Sequence, residues 1–225
     1  MQNIFFMPLR AGSKGIPGKN YKNFFGKPLF SWGLDSIVKS NLATQIWVAT
    51  DCIQTKSILI NEFPYVRIFD RSSENAQDTS PTIDVVLEFL SKIPFKTEDN
   101  FILVQATSPL TSIENFADLM IKMKTGKYDS YIACTRLKRF RWSDNGIPLD
   151  YSFNHKPRRQ EYEGFLVETG AFYASTIGAI LHTKQLLSGK IGIVELGNES
   201  LIDIDEPADW YLGEAYLNFK LNGKS

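Results

Sequence analysis

Between Leu9 and Asn20 the chain reads Leu-Arg-Ala-Gly-Ser-Lys-Gly-Ile-Pro-Gly-Lys-Asn, with glycines at 12, 15 and 18 and cations at 10, 14 and 19. Glycine lets a backbone turn tightly and approach a ligand closely, because no Cβ stands in the way. Successive free N–H groups in such a turn form an anion-binding concavity, and Arg10, Lys14 and Lys19 add full charges to it. This is chemistry for a polyphosphate, or else an ordinary basic surface loop. Two well-known phosphate loops do not fit. A Walker A loop needs Gly where Ser13 stands and a hydroxyl where Asn20 stands, and the glycine spacing is G-x-x-G-x-x-G rather than the dinucleotide fingerprint. Near the other end, Asp203 and Asp205 alternate in an extended stretch, which points both carboxylates the same way, toward one cation. Mg²⁺ is commonly held by one or two carboxylates completed by phosphate oxygens and waters. An exposed acidic strand end is the plainer reading of the same pair.

The elements that must carry these residues alternate between short apolar runs and helical patterns. Strands are predicted at Asn3 to Pro8, Gln45 to Thr50, Val66 to Phe69, Phe101 to Gln105, Tyr131 to Cys134, Gly170 to Ala174 and Ile191 to Glu195. Helices are predicted from Leu29 to Val38, Ile53 to Phe63, Ile177 to Leu187 and Pro207 to about Phe219. Two further helices open at Asp78-Thr-Ser-Pro81, with Ser80 as N-cap and Pro81 in the first turn, and at Thr111-Ser-Ile-Glu114, which has capping-box spacing. Strands alternating with helices imply a parallel sheet covered on both faces. From Leu137 to Phe165 the rhythm breaks into a polar, aromatic stretch, either a long functional loop or a small antiparallel excursion. Open α/β sheets bind ligands beyond the carboxyl ends of their strands. The glycine loop, Asp51, Arg71 and the loop after Gln105 all follow strands, so they are expected on one rim.

Composition narrows the function classes. At 225 residues the chain suits one α/β domain spanning 1–225. Its 25 basic and 25 acidic residues cancel, which argues against a nucleic-acid binder relying on overall basicity. Yet no acid precedes Asp35, while Arg10, Lys14, Lys19, Lys22 and Lys27 do, a local field suited to a small anion. Two cysteines and two histidines leave little room for a disulfide scaffold or a His-rich zinc site. Reduced thiols, the absence of a signal-peptide pattern and the absence of a long apolar run predict a cytoplasmic protein outside the membrane.

In order along the chain, the loop Leu9–Asn20 is followed by Lys22 and Gly26-Lys-Pro-Leu29, then Arg71 and Asp78, and Gln105-Ala-Thr-Ser-Pro-Leu110. Arg158-Arg-Gln160, Thr169-Gly-Ala-Phe-Tyr173, Ser188-Gly-Lys-Ile-Gly192 and Ile202-Asp-Ile-Asp-Glu-Pro207 come after them. Together these motifs resemble the acylneuraminate cytidylyltransferases, the enzymes that make CMP-sialic acids, over nearly the whole chain. The resemblance implies a Rossmann-like, doubly wound, mostly parallel sheet of the nucleotide-diphospho-sugar transferase type. It also implies a CTP-dependent transfer of CMP to a nine-carbon 2-keto sugar acid, with Mg²⁺ as cofactor. By resemblance, Arg10 and Lys19 are catalytic, and Gly12, Ser13, Lys14, Asn20, Arg71, Ser80 and Thr82 bind the nucleotide alongside them. Gln105, Thr107, Ser108 and Tyr173 would meet the sugar, with Arg158 or Arg159 near its carboxylate. Asp203 and Asp205 would hold the metal. A homodimer is implied, with residues 137–165 as its dimerisation arm.

The chain departs from that pattern at Leu9, where Ala is usual, and at Ala106, Thr111 and Thr169, where Pro, Arg and Asn are usual. The last three fall in sugar-facing regions and leave the identity of the sugar open. A 3-deoxy-octulosonate cytidylyltransferase shares the reaction, but its loop resembles S-x-R-L-P-G-K, unlike Ser13-Lys-Gly-Ile-Pro-Gly-Lys19. Sugar-1-phosphate nucleotidyltransferases carry a G-x-G-T-R loop that is missing here. A non-catalytic nucleotide-sugar sensor of the same fold is the remaining alternative, and retention of both the cationic loop and the paired carboxylates argues against it.

Overall fold

The computed structural model describes residues 1–77 and 79–223. Asp78, quoted among the sequence motifs, lies outside the described residues.

Strand β1 (Asn3–Leu9) forms the centre, and its alternating side chains feed both faces of the sheet. Phe5, Met7 and Leu9 join one buried cluster, whereas Ile4 and Phe6 join another. After the glycine loop comes a two-stranded ribbon, β2 (Asn23–Phe24) and β3 (Lys27–Pro28), and then α1 (Leu29–Ser40). There follow β4 (Gln45–Thr50), α2 (Ile53–Glu62), β5 (Arg67–Phe69), α3 (Thr82–Lys92), β6 (Asn100–Val104), α4 (Ile113–Lys124) and β7 (Ser130–Leu137). The chain ends with β8 (Phe165–Thr176), α5 (Ile177–Thr183), β9 (Ile191–Leu196), a 3₁₀ turn (Asn198–Leu201) and α6 (Pro207–Asn222).

The seven-stranded sheet has the order β5-β4-β1-β6-β8-β7-β9. Its pairs are parallel except that β8 runs antiparallel to both β6 and β7. Helices α1, α2 and α4 cover one face through Phe30, Leu34, Leu59, Phe116 and Leu119. Helices α3 and α5 cover the other through Val86, Phe89, Ile177 and Ile180. A third, smaller cluster joins Ile16 of the glycine loop, Phe24, Leu29 and Leu110 to Ile202, Ile204, Trp210 and Leu217. This cluster brings the two ends of the chain together. No helix among the described residues is long and apolar enough to cross a membrane.

Several expected boundaries move, each for a local reason. Pro81, not Ser80, is the N-cap of α3, and the Ser80 hydroxyl instead donates to the Glu74 carbonyl at 2.7 Å. At α4 the cap is Ser112, whose N–H donates to Asn115 at 2.9 Å. Thr111 turns its hydroxyl to the Ser108 carbonyl at 2.9 Å, which removes it from the cap. Helix α5 stops at Thr183 because Lys184 adopts the left-handed conformation, with φ of 58°. The stretch Ile202–Asp205 joins no strand ladder. The segment expected to break the rhythm is the connection between antiparallel β7 and β8, carrying only isolated bridges, Trp142 with Pro148 and Ser152 with His155.

Candidate active site

β1 delivers Arg10 and the glycine loop to the carboxyl edge of the sheet. Three contacts fix the loop there. The Ala11 N–H donates to the Asp51 carboxylate, just past β4, at 2.9 Å. The Asn20 amide donates to the Arg10 carbonyl at 3.0 Å. Ile16, only 3% exposed, anchors the turn in the third cluster. The turn closes through Lys19 N–H to the Ile16 carbonyl at 3.1 Å and Lys22 N–H to the Gly18 carbonyl at 3.0 Å. Gly18 holds φ at 66°, a left-handed geometry that suits glycine.

A cleft of about 430 Å³ opens above this loop. Arg10, Gly12, Ser13, Lys19 and Asn20 line one wall, Arg71, Gln77, Thr79, Ser80 and Thr82 a second, and Gln105, Thr107 and Asp205 close it. Lys19 is 8% exposed, and its ammonium donates to the Ile204 carbonyl at 2.7 Å and to Asp205 Oδ1 at 2.8 Å. The first basic loop and the last acidic stretch therefore meet in one place. Gly15 packs so closely that a Cβ there would come within 2.2 Å of the Asp205 carbonyl oxygen. Asp209, in the first turn of α6, accepts from the N–H groups of Asp205 at 3.1 Å and Glu206 at 2.8 Å, and so orients the acidic stretch.

Asp203 is half-buried. Burial pushes its carboxyl above the ordinary aspartate range; the Thr107 hydroxyl opposes this, Asp205 adds to it and Lys19 opposes it. Its Oδ1 is buried without a hydrogen-bond partner among the described residues. An unpartnered carboxylate oxygen next to a second, largely exposed carboxylate fits a divalent cation. Among the described residues no group of three or more His, Cys, Asp or Glu side chains gathers for a metal. Asp203 and Asp205 alone would therefore rely on ligand phosphate and water oxygens to complete the coordination.

At the second wall, Arg71 donates from Nη2 to the Asn75 carbonyl, while its Nε is buried without a partner among the described residues. Burial lowers its pKa; Asp51 opposes the shift, Arg10 reinforces it and Glu88 opposes it. Arg10 reaches across from the first wall, its guanidinium 3.4 Å from the Gln77 carbonyl.

The residues expected on the sugar side are only partly gathered. Gln105 and Thr107 line the cleft, and the Gln105 amide lies beside Gly170 of β8. Ser108 is 2% exposed and builds a buried turn behind the rim, its carbonyl accepting from Thr111. The Tyr173 phenol donates to the Glu168 carboxylate, and burial followed by that neighbour raises its pKa. Arg158 and Arg159 do not line this cleft. Both lie in the β7–β8 connection, where Arg159 donates to the Lys138 carbonyl at 3.0 Å and flanks a separate groove with Arg136, Arg139 and Glu195. Gln77, Thr79, Pro8 and Val85 line the cleft without having been singled out in the sequence. The signal for Thr79 lay in its polar run before Pro81, whereas Val85 looks like any core position of a helix. Asp209 carried a cap signal, three residues after Glu206.

The sequence profile of the cytidylyltransferase family matches residues 4–163. The chain is 31% identical over 223 residues to N-acylneuraminate cytidylyltransferase A of Danio rerio, covering 96% of this chain and 51% of that protein. The chain spans about half the length of the curated fish relatives it matches. It is also 31% identical to the CMP-N,N'-diacetyllegionaminic acid synthase of Legionella pneumophila, covering 96% of this chain and 97% of that one. Among solved structures, a CMP:2-keto-3-deoxy-manno-octonic acid synthetase complexed with CTP superimposes with a TM-score of 0.72 at 18% identity, covering 98% of this chain and 100% of the other. That likeness supports the Rossmann-like, mostly parallel fold.

Proposed function

The chain belongs to the cytidylyltransferase family, in its acylneuraminate group, and we propose that it joins CMP from CTP to the anomeric hydroxyl of a nine-carbon 2-keto sugar acid. The hydroxyl oxygen bonds to the α-phosphorus of CTP, the bond from that phosphorus to the β-phosphate bridge breaks, and pyrophosphate leaves. The hydroxyl proton passes to solvent. The observation that carries this reading is the meeting of buried Lys19 with Asp205 inside the cleft lined by Arg10 and the glycine loop.

Transfer of this type depends mainly on positioning and on charge stabilisation. The loop N–H groups and Ser13 would cradle the triphosphate, Arg10 would hold the leaving pyrophosphate, and Lys19 would face the α-phosphate. Asn20, Arg71, Ser80 and Thr82 would hold ribose and base, with Lys14 adding to the cationic field of the loop. Asp203 and Asp205 would hold Mg²⁺, which when bound offsets phosphate charge and lowers the pKa of a coordinated oxygen. Gln105 and Thr107 would read the polyhydroxylated ring with amide and hydroxyl groups, with Ser108 shaping that turn, whereas Tyr173 lies outside the cleft lining, in a groove with Ile83 and Leu186.

The arm at 137–165 would make the homodimer and carry Arg158 or Arg159 to the sugar carboxylate in the neighbouring subunit's cleft. Trp142, Ile147, Leu149 and Phe153 expose between 50% and 73% of their surface along this arm, which supports a covered rather than solvent-facing role. Both cysteines are free, in keeping with a cytoplasmic enzyme outside the membrane. The curated relatives named for N-acylneuraminate, N,N'-diacetyllegionaminic and pseudaminic acids define the acceptors to try. Pyrophosphate release should require CTP together with one of these acids. Binding of CTP without turnover on any of them, or turnover on 3-deoxy-octulosonate alone, would replace this reading.

A further inference from the structure

We propose that Glu88 is a positioning residue that holds Arg71 in the cleft by gripping the loop that carries it. Glu88 sits on α3, and its side chain is only 9% exposed. The Ser72 N–H lies 3.2 Å from both of its carboxylate oxygens, and the Ser72 hydroxyl donates at 3.1 Å. The Asn75 amide donates to it at 2.8 Å and the Lys92 ammonium at 2.7 Å. A carboxylate offers about four lone-pair sites, and here these four donors share them. Such dense donation also holds the Glu88 carboxyl at about 2, against burial, which pushes the other way.

Three of those donors come from one loop, and that loop carries Arg71. Ser72 follows Arg71 directly, so fixing the Ser72 N–H fixes the peptide that leaves Arg71. Asn75, held from its side chain by Glu88, presents its carbonyl to Arg71 Nη2. The Asn75 N–H in turn donates to the Ser72 hydroxyl at 3.3 Å, which closes the loop on itself. Among the described residues the guanidinium is thereby held through Nη2. Its Nε is buried and lacks an acceptor among the described residues, while Arg71 lines the cleft. Leaving a buried donor unpaired is costly, and an acceptor atom on a ligand, such as the ring edge or carbonyl of a pyrimidine, would satisfy it. Glu88 itself does not line the cleft; its influence on a ligand runs through the loop it grips, and within residues 71–75 of that loop Arg71 is the one that lines the cleft.

The inference rests on the nucleotide reading given above, and the test separates the two. CTP binding is measured by calorimetry for the wild type, Glu88→Ala, Arg71→Ala and the double variant, with Glu88→Gln as the conservative change and thermal melting to confirm folding. Groups acting through one another give non-additive effects, so Glu88→Ala should weaken CTP about tenfold in the wild-type background and less than about twofold beside Arg71→Ala. Glu88→Gln, which retains an acceptor for Asn75, should recover most of the affinity. In turnover, the CTP KM should rise while the sugar-acid KM stays fixed. Equal losses in both backgrounds, or unchanged affinity in folded Glu88→Ala and Glu88→Gln, would overturn the inference alone. A wild-type chain that does not bind CTP would overturn the nucleotide reading and this inference with it.

Discussion

Lys19 and Asp205 stand 186 positions apart in the chain, yet Nζ and Oδ1 meet at 2.8 Å. The lysine end of the contact is buried, while the Asp205 carboxylate stays largely exposed. Lys19 is 8% exposed, its ammonium also serves the Ile204 carbonyl, and a shared apolar cluster beneath it ties Ile16 to Ile202 and Ile204. The pair is thus built into the meeting of the chain's two ends, and it holds a cation at the wall of the cleft.

Replacing Lys19 by Ala should lower turnover by about 10²–10³-fold, the scale of losing one preorganised group that stabilises charge. Pyrophosphate release under saturating CTP measures it. Lys19→Ala that turns over normally would remove the catalytic role assigned here.

Asp203→Ala combined with Asp205→Ala should abolish the response of the enzyme to Mg²⁺. Thermal shift with Mn²⁺ and CTP gives a second readout, in which the wild type gains stability on adding metal and the double variant does not. Equal metal-induced shifts in both proteins would exclude these carboxylates as ligands.

Glu88 should contribute an acid limb to the stability curve. Its folded-state pKa is lowered from 4.5 to about 2 by the donors that surround it. A carboxylate with a depressed folded pKa contributes stability above its unfolded pKa, and that contribution drains as pH falls through the folded value. Melting temperature should therefore fall between pH 4.5 and about 2 more steeply in the wild type than in Glu88→Gln, which cannot titrate there. Parallel curves would show that the loop does not depend on this charge.

A mixture of two inactive proteins should test the arm. Lys19→Ala should lack a working cleft, and Arg158→Ala with Arg159→Ala should lack the arginines proposed to reach a second subunit. If each arm serves the other subunit, mixing equal amounts should restore about a quarter of wild-type activity, since half the symmetric pairs become mixed and each mixed pair has one complete site. No recovery after subunit exchange would place the arginines elsewhere.

Much of this was legible in the sequence, and the parts that were not have physical reasons. The β1 run and its glycine loop could be read directly, because apolar alternation and glycine spacing are local signals. Strand direction is not local. The apolar residues around Phe172 predict a strand equally well in either orientation, and only the ladder pairing Val104 with Phe172 and Ile102 with Ala174 shows β8 running backward. Ser80 looked like a cap by type, yet its hydroxyl found the Glu74 carbonyl, a competition decided by loop geometry. Asp203 and Lys19 were identifiable as types, but not the burial that isolates one carboxylate oxygen. Glu88 was legible only as half of an i,i+4 pair with Lys92, because its other three donors, from Ser72 and Asn75, reach it only after folding.

The reversal of β8 also bears on how such an enzyme can diversify. Leu137 and Phe165 are cross-strand partners, so the polypeptide leaves the sheet and re-enters it at adjacent points. An insert with neighbouring attachment points behaves as a cassette: its length can change at small entropic cost, since each doubling of a loop adds only about 0.6 kcal/mol. The parallel strands that carry the glycine loop and Asp51 to the cleft lie outside that graft and need not shift when it is exchanged. Swapping residues 138–164 for the corresponding piece of a relative would then exchange this connection, Arg158 and Arg159 included, while the glycine loop, Gln105 and Thr107 stay in place.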